Sequence, residues 1–380
     1  MKICFFNMAL AWGGGERWHL DAAISAKKEG HTAYVAAHKK GVLLLRAKES
    51  GIETAPFAIG NYSFLNPFKL LEVARFFRGF DVVVLNFSKD LKIAALAAKV
   101  ASRSGGKIRV VYRRGLAAAL KNSFYNRLIF SRFLDGVIVN SLATKASLLK
   151  NNKTLFPNDR IKLIYNGIDT AKFTPAAQKR TGGEIVVGTL GRCVYQKGHD
   201  LFLRIAAVLK RRGVQCRFRL GGSGELLHSL KRQAKSLGIA DMVEFVGFVD
   251  EPSAFMRDLD IFALTSRWEG FGFVTAEALS CQVPVVAFNV SSTPEIVSNG
   301  ENGFLIDLPE GGFDAALESF ADKIELLIAD TLLRTKMGEN GRLRVCERFD
   351  RERNMSEALD YLAVIAKGAA ADRRKQTPSG

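Results

Sequence analysis

Two glutamates eight positions apart, Glu269 and Glu277, bracket the densest group of potentially reactive side chains in the chain. Between them lies Gly270-Phe271-Gly272, and buried-strand signals flank the segment at Ile261–Leu264 and Val283–Ala287. A helix beginning near Phe273 places Glu277 in its first turns and leaves Glu269 in the loop before it. The amides of Gly270, Phe271 and Gly272 then point out of the helix N-terminus, where unpaired N–H groups and the helix dipole favour an anion. Two carboxylates beside an anion site cannot both face the anion, which assigns them to neutral hydroxyls, those of a sugar and of a ribose. Taken alone, the pair reads more readily as ordinary acidic residues on a capped surface helix.

The elements that must position these residues follow from the apolar pattern. Met1–Asn7 reads as a buried parallel-type strand, followed by a loop at Ala11–Gly15, a helix over Glu16–Glu29 closed by Gly30, and a strand at His31–Ala37. This is a βαβ unit with glycines at its first turn, as in doubly wound folds. Gly13, Gly14 and Gly15 do not match the dinucleotide fingerprint, which argues against a nicotinamide site; a tight turn and a ligand contact both fit them. Glu16 and Arg17 read as capping and solvating the helix. Further strands are expected at Asp81–Leu85, Ile108–Tyr112, Gly136–Asn140, Glu184–Gly191, Phe218–Gly221 and Val243–Val249. From Asp314 the pattern is helical, with a restart at Phe349-Asp350 that Asp350 can cap. A chain of 380 residues can bury two α/β cores.

The run from Ile261 to Ala287 resembles the EX7E signature of retaining glycosyltransferases of the GT-B architecture, specifically the nucleotide-sugar-dependent family 4. The resemblance covers nearly the whole chain, in order. Gly13-Gly14-Gly15-Glu16 is similar to the family's N-terminal glycine loop, which faces the donor phosphates and the acceptor. The segment Gly136–Leu149 resembles its strand-then-Ser turn, and Asn166-Gly167-Ile168-Asp169 its linker into the second domain. Gly191-Arg192 with Lys197-Gly198 is similar to the motif whose Arg and Lys hold the donor diphosphate. Gly222-Ser223-Gly224, the strand at Val243–Gly247, Pro294-Glu295 and Asn302-Gly303 resemble further family pieces.

The chain departs from the family at two positions. Where many members carry a His after the strand that here ends in Val110-Val111-Tyr112, this sequence reads Tyr112-Arg113-Arg114-Gly115, and where a His or polar residue is frequent it has Asn86. Asn86, Arg113 and Arg114 are therefore candidates for acceptor contact, the arginines suiting a phosphate. An equal alternative is that both arginines merely add to a basic surface.

The resemblance implies two doubly wound Rossmann-like domains facing across a cleft. The first spans residues 1–166 on the acceptor side and the second residues 167–349 on the nucleotide-sugar side. A helix over 350–367 would cross back to the first domain, and a tail over 368–380 reads as disordered. It also implies that Arg192 and Lys197 neutralise the departing diphosphate, with Glu269 on the transferred sugar and Glu277 on the ribose. Gly14, Gly15, Gly270, Phe271 and Gly272 would approach the donor through backbone. Two fixed cations can stabilise the charge that develops on a leaving diphosphate, so no metal and no cofactor beyond the donor substrate is expected. Retention of configuration is implied, by a front-face route in which the departing phosphate accepts the acceptor's proton.

The formal charge of +17 is one-sided. Residues 1–167 hold 27 Lys and Arg against 10 Asp and Glu, while the remainder holds 28 of each. No acidic residue occurs from Leu91 to Leu134, where ten basic residues do. Such asymmetry implies an anionic partner. The stretch Ala117–Leu134 reads as an amphipathic helix, with Phe124, Leu128, Ile129 and Phe133 at helical spacing and Lys121, Arg127 and Arg132 among them. It suits either an anionic leaflet or the domain's own sheet. No apolar run approaches a membrane span, and Met1–Trp12 leads into a glycine loop without a small-residue cleavage site. Five scattered cysteines read as small buried groups in a reduced compartment.

The expected partners are a nucleotide sugar, a glycan or lipid-linked acceptor such as lipopolysaccharide, and an anionic membrane surface. The expected location is cytoplasmic and peripheral on the inner face. A soluble transferase using a small sugar or sugar phosphate is the main alternative. A nucleic-acid-binding role is disfavoured because no binding module accompanies the charge.

Overall fold

The computed structural model describes residues 1–86, 88–151, 153, 155–177, 182–308 and 313–374. They divide into two compact units, Met1–Asn166 with the C-terminal segment from Glu352, and Gly167–Arg351.

The first unit runs β1 (Lys2–Asn7), α1 (Gly14–Lys28), β2 (Thr32–His38), α2 (Val42–Glu49), β3 (Glu53–Phe57), α3 (Pro67–Phe77) and β4 (Val82–Leu85). It continues through α4 (Ser88–Gly105), β5 (Arg109–Arg114), α5 (Phe124–Phe133), β6 (Gly136–Val139), α6 (Leu142–Leu149) and β7 (Ile161–Leu163). The seven strands form one sheet in the order β3-β2-β1-β4-β5-β6-β7, each pair parallel. The central strands β1, β4 and β6 are almost wholly apolar and buried, as a parallel sheet covered on both faces requires. The edge strand β3 carries Pro56, which sequence patterning does not flag as strand; a residue without N–H is tolerated at an edge.

The second unit runs β8 (Val186–Leu190), α7 (His199–Arg211), β9 (Arg217–Gly221), α8 (Leu227–Ser236), β10 (Val243–Gly247), α9 (Pro252–Arg257) and β11 (Ile261–Leu264). Then follow α10 (Phe273–Ser280), β12 (Val285–Phe288), α11 (Thr293–Ile296), β13 (Gly303–Ile306), α12 (Asp314–Ala329) and α13 (Thr331–Arg348). Its six strands are parallel in the order β10-β9-β8-β11-β12-β13. In each sheet the order reverses once, at β1/β4 and at β8/β11. Ligands of open α/β sheets bind beyond the strand ends at such switch points.

The last helix, α14, runs Arg351–Arg374, past the expected end at 367; residues 375–380, the rest of the expected tail, lie outside the described set. Met355, Ala358, Leu359 and Leu362 of α14 join Ile3, Phe5, Trp18, Val82 and Val84 in one apolar cluster of the first unit. The expected helix Ala117–Leu134 begins only at Phe124, where Ser123 accepts from the Asn126 amide. Its stripe is divided: Ile129 and Phe130 enter the core, while Phe124 and Leu128 are exposed. Four cysteines are buried as expected, but Cys346 is exposed.

Candidate functional site

The site is assembled at the β8/β11 switch point of the second sheet. β8 delivers Gly191 and Arg192, and a 3-10 turn at Tyr195–Lys197 then leads into α7. Gly198 makes that junction with φ +63°, and a Cβ there would sit 2.0 Å from the Thr265 carbonyl oxygen, so only glycine fits. Beyond β11, Thr265 donates to the Gly198 carbonyl at 2.9 Å. Arg267 forms a bidentate pair with Asp200 at 2.9 and 2.7 Å and donates to the Tyr195 carbonyl at 2.8 Å. Its guanidinium lies 4.0 Å from the Tyr195 ring centroid. These contacts bind the loop after β8 to the loop after β11 before any ligand is considered.

Inside this frame Lys197 Nζ lies 2.7 Å from Glu269 Oε1, and Ser266 Oγ donates to the same oxygen at 2.7 Å. The Glu269 carboxylate is nearly buried, so this cation and hydroxyl offset its desolvation. The stem of Lys197 passes the Gly191 backbone; a Cβ at Gly191 would meet it at 3.4 Å. Arg192, the next residue, is exposed, and its guanidinium has no hydrogen-bond or ion-pair partner among the described residues. The chain after Glu269 turns through Gly270-Phe271 to Gly272, which begins α10 at φ +93°. Ser292 Oγ holds the turn through the Phe271 carbonyl at 3.1 Å. Glu277 follows on α10 and is buried. The structure thus joins Lys197 directly to Glu269, sets Arg192 on the same loop, and puts Glu277 on the helix that the glycine turn starts.

The three carboxylate and loop contacts that sequence reasoning missed are Ser266, Arg267 and Asp200. Nothing in the local pattern pairs Arg267 with Asp200, which lies 67 positions away.

His199 opens α7 and is buried, and burial together with neighbouring Lys197 pulls its imidazole down to about 4 against the opposing pull of Asp200. A cavity of about 670 Å³ in this unit lies at the opposite strand ends, lined by Glu184, Ile185, Asp260 and Pro284 among others, away from these residues.

The first unit has its own polar cluster at the β1/β4 switch point. Gly14 and Gly15 open α1 there; a Cβ on Gly15 would come within 2.2 Å of Asn86 Nδ2. Arg113 donates to Asn86 Oδ1 at 3.0 Å and to Asn166 Oδ1 at 2.7 Å, and lies 5.2 Å from the Trp18 ring centroid. It is buried, and burial pulls its guanidinium down to about 10 while the Glu16 carboxylate opposes the shift. Glu16, expected on the helix surface, is instead buried and accepts from Asn7 Nδ2 at 3.1 Å. Its sequence signal as a first-turn acid is the same in either setting. Arg114 is also buried and donates to the Ala118 carbonyl and, at 3.5 Å, to the Tyr112 hydroxyl. Both guanidinium forks therefore have partners within the first unit. Next to this cluster, His19 is buried with neither ring nitrogen partnered among the described residues, and its imidazole is held well below the ordinary range by burial and by Arg113.

Two parallel sheets, each with polar groups gathered beyond the strand ends at its switch point, have the doubly wound architecture of the GT-B fold. Residues 12–172 match the model of Glycosyltransferase Family 4, and residues 171–344 match that of Glycosyl transferases group 1. The lipopolysaccharide core biosynthesis glycosyltransferase LpsE of Rhizobium meliloti (strain 1021) is 34% identical over 264 residues, 66% of this chain and 71% of that protein. The capsular polysaccharide biosynthesis glycosyltransferase CapM of Staphylococcus aureus is 32% identical over 183 residues, 48% of this chain and 47% of CapM, so that match spans about half of the relative. The crystal structure of Anabaena Alr3699/HepE in complex with UDP superposes with a TM-score of 0.82 at 23% identity, covering 96% of this chain and 100% of that one. The chain belongs to glycosyltransferase family 4, the glycosyl transferases group 1.

Proposed function

We propose that this protein transfers a sugar, with retention of anomeric configuration, from a nucleotide-diphosphate sugar to a membrane-associated glycan of the lipopolysaccharide or lipid-linked oligosaccharide type. The observation that carries the reading is the 2.7 Å contact of Lys197 with Glu269, with the exposed Arg192 on the same loop, at the switch point of the second sheet. On this proposal Arg192 and Lys197 neutralise the diphosphate, Glu269 orients the hydroxyls of the transferred sugar, Glu277 holds the ribose, and the Gly270–Gly272 turn offers backbone to the donor. The bond from the anomeric carbon to the diphosphate oxygen breaks, and the bond to the acceptor oxygen forms on the same face. The acceptor's proton passes to the departing phosphate. Because charge on the leaving group grows during the reaction, fixed cations hold the transition state more strongly than the bound donor and so lower the barrier. Turnover in excess chelator is accordingly expected to persist.

The acceptor class is supported by the basic first half of the chain and by the processes for which LpsE and CapM are named. The proposed location is the cytoplasmic face of the membrane, held peripherally; no helix among the described residues is long and apolar enough to cross a bilayer. The test has two stages. A thermal-shift panel of UDP-, GDP- and ADP-sugars should reveal one donor class, since a ligand at 100 times its Kd adds about 2.7 kcal/mol of stability. That donor is then offered with isolated core glycolipid and, separately, with free sugars and sugar phosphates. Transfer to the glycolipid with unchanged anomeric configuration is expected. Transfer only to free sugars would replace the acceptor assignment, and inverted product would end the front-face mechanism.

A further inference from the structure

Within ten residues of the first unit, four large apolar side chains stand out from the surface: Tyr62 at 78% exposure, Leu65 at 70%, Phe68 at 82% and Leu71 at 43%. They are not the frayed end of a loop. Ser63 Oγ accepts from the Gly60 amide, a 3-10 turn spans Ser63–Leu65, and Asn66 caps α3 through the amides of Phe68 and Lys69, with Pro67 in the first turn. Nor are they needed for packing, because Val73, Ala74 and Phe77 supply the buried side of α3 and Phe64, Leu70 and Phe76 pack beside them. The protrusion is apolar surface in excess of what the fold uses, held in a fixed shape.

Its surroundings are cationic. α4 packs against α3, the 3-10 turn and α5. Lys92 of α4 lies 4.8 Å from the Phe64 ring centroid at the side of the turn, and Lys99 lies 5.0 Å from that of Phe133 at the side of α5. Along α5, Phe124 and Leu128 are exposed together with Arg127 and Arg132. Protein-binding surfaces are depleted in lysine, whereas apolar tips among Lys and Arg fit the headgroup zone of an anionic bilayer, where rings enter the acyl boundary and cations meet phosphate.

We propose that the turn and first helical residues at Tyr62–Leu71, seconded by the exposed ridge of α5, form the surface by which this protein docks on an anionic lipid leaflet. The sequence expectation offered Ala117–Leu134 as the candidate for that contact; the exposures shift its apolar part to a segment that begins 55 residues upstream. The docking rests on the membrane-borne acceptor proposed above for its purpose, though not for its geometry.

The experiment is flotation of the full-length protein with vesicles of phosphatidylcholine containing or lacking phosphatidylglycerol, alongside size-exclusion chromatography. The wild type is expected to float with the anionic vesicles and to be released by high salt. Leu65→Ser with Phe68→Ser should lower the bound fraction at least ten-fold without changing the melting temperature or the thermal shift caused by the donor. Phe124→Ser with Leu128→Ser should have a smaller effect. Unchanged flotation of the Leu65/Phe68 variant would overturn the proposal, as would absence of wild-type binding or equal binding to neutral vesicles. A wild-type dimer that this variant converts to monomer would instead assign the surface to a second copy of the chain. Flotation that persists in a protein found to bind no nucleotide sugar would remove the transferase reading and leave the docking surface standing.

Discussion

Arg192 and Lys197 leave the same loop, yet their surroundings divide the consequences of removing them. Arg192 is exposed and, among the described residues, without a partner, so Arg192→Ala should leave the melting temperature within a degree or two of wild type. Its proposed role on the diphosphate makes the loss kinetic: on the order of 3 kcal/mol in the barrier, roughly a hundred-fold in turnover. Lys197 neutralises a nearly buried Glu269, so Lys197→Ala should cost turnover and also about 3 kcal/mol of stability, read by urea unfolding. Equal stability losses in the two variants would contradict this division. His199 provides a pH signature. Its imidazole titrates near 4 in the fold against an ordinary 6.5, so the unfolded chain binds the extra proton first. Stability is fully present above about pH 6.5 and falls as pH drops toward 4, by about 3 kcal/mol in total from this group. His199→Gln should flatten the acid limb of a melting-temperature-against-pH curve. It cannot abolish that limb, because His19 is shifted in the same direction.

At the scale of elements, the glycine turns set the precision of the site. Gly198→Ala forces a methyl group against the Thr265 carbonyl and a left-handed φ onto alanine, so it should destabilise by at least about 3 kcal/mol and displace Lys197. Gly272→Ala meets nothing closer than Thr275 Oγ1 at 3.3 Å and should cost only the left-handed backbone, about 1–2 kcal/mol; chemical denaturation separates the two. These same turns explain what the sequence revealed. Apolar strands ending in Gly-rich loops are local signals, and β1, β8, β11 and α10 stand within a few residues of where periodicity and turn chemistry place them. Elements whose identity depends on neighbours were not legible. β3 is a strand because β2 accepts it at the sheet edge despite Pro56, and α5 starts late because Ser123, not Ala117, caps it. Glu16 reads as a solvated charge, and Arg113 as a phosphate contact or part of a basic surface, because a linear pattern cannot reveal that Asn7, Asn86 and Asn166 converge on them.

For the molecule as a whole, the ordered run of motifs identified the architecture because each motif occupies a strand end, and strand ends are what a doubly wound sheet collects at its switch points. The C-terminal helix is where the linear order of the chain and the order of packing part company. A chain ending at Asp350 keeps every strand of both sheets but strips Met355, Ala358, Leu359 and Leu362 from the first unit's core. Each lost buried aliphatic group is worth about 1.5–3 kcal/mol, so the first unit should unfold or aggregate. Limited proteolysis would show it cut while the second unit, which loses only Arg351, stays protected. The same arrangement bears on biosynthesis. The ribosome emits β7 and then nearly half the protein before α14 appears, a delay of roughly 10–40 s at ordinary elongation rates. Throughout that interval the nascent amino-terminal sheet leaves bare the part of its face that α14 covers, whereas the younger carboxy-terminal module can close as soon as it emerges. Vectorial synthesis thus allows the second-made unit to close before α14 completes the core of the first-made one.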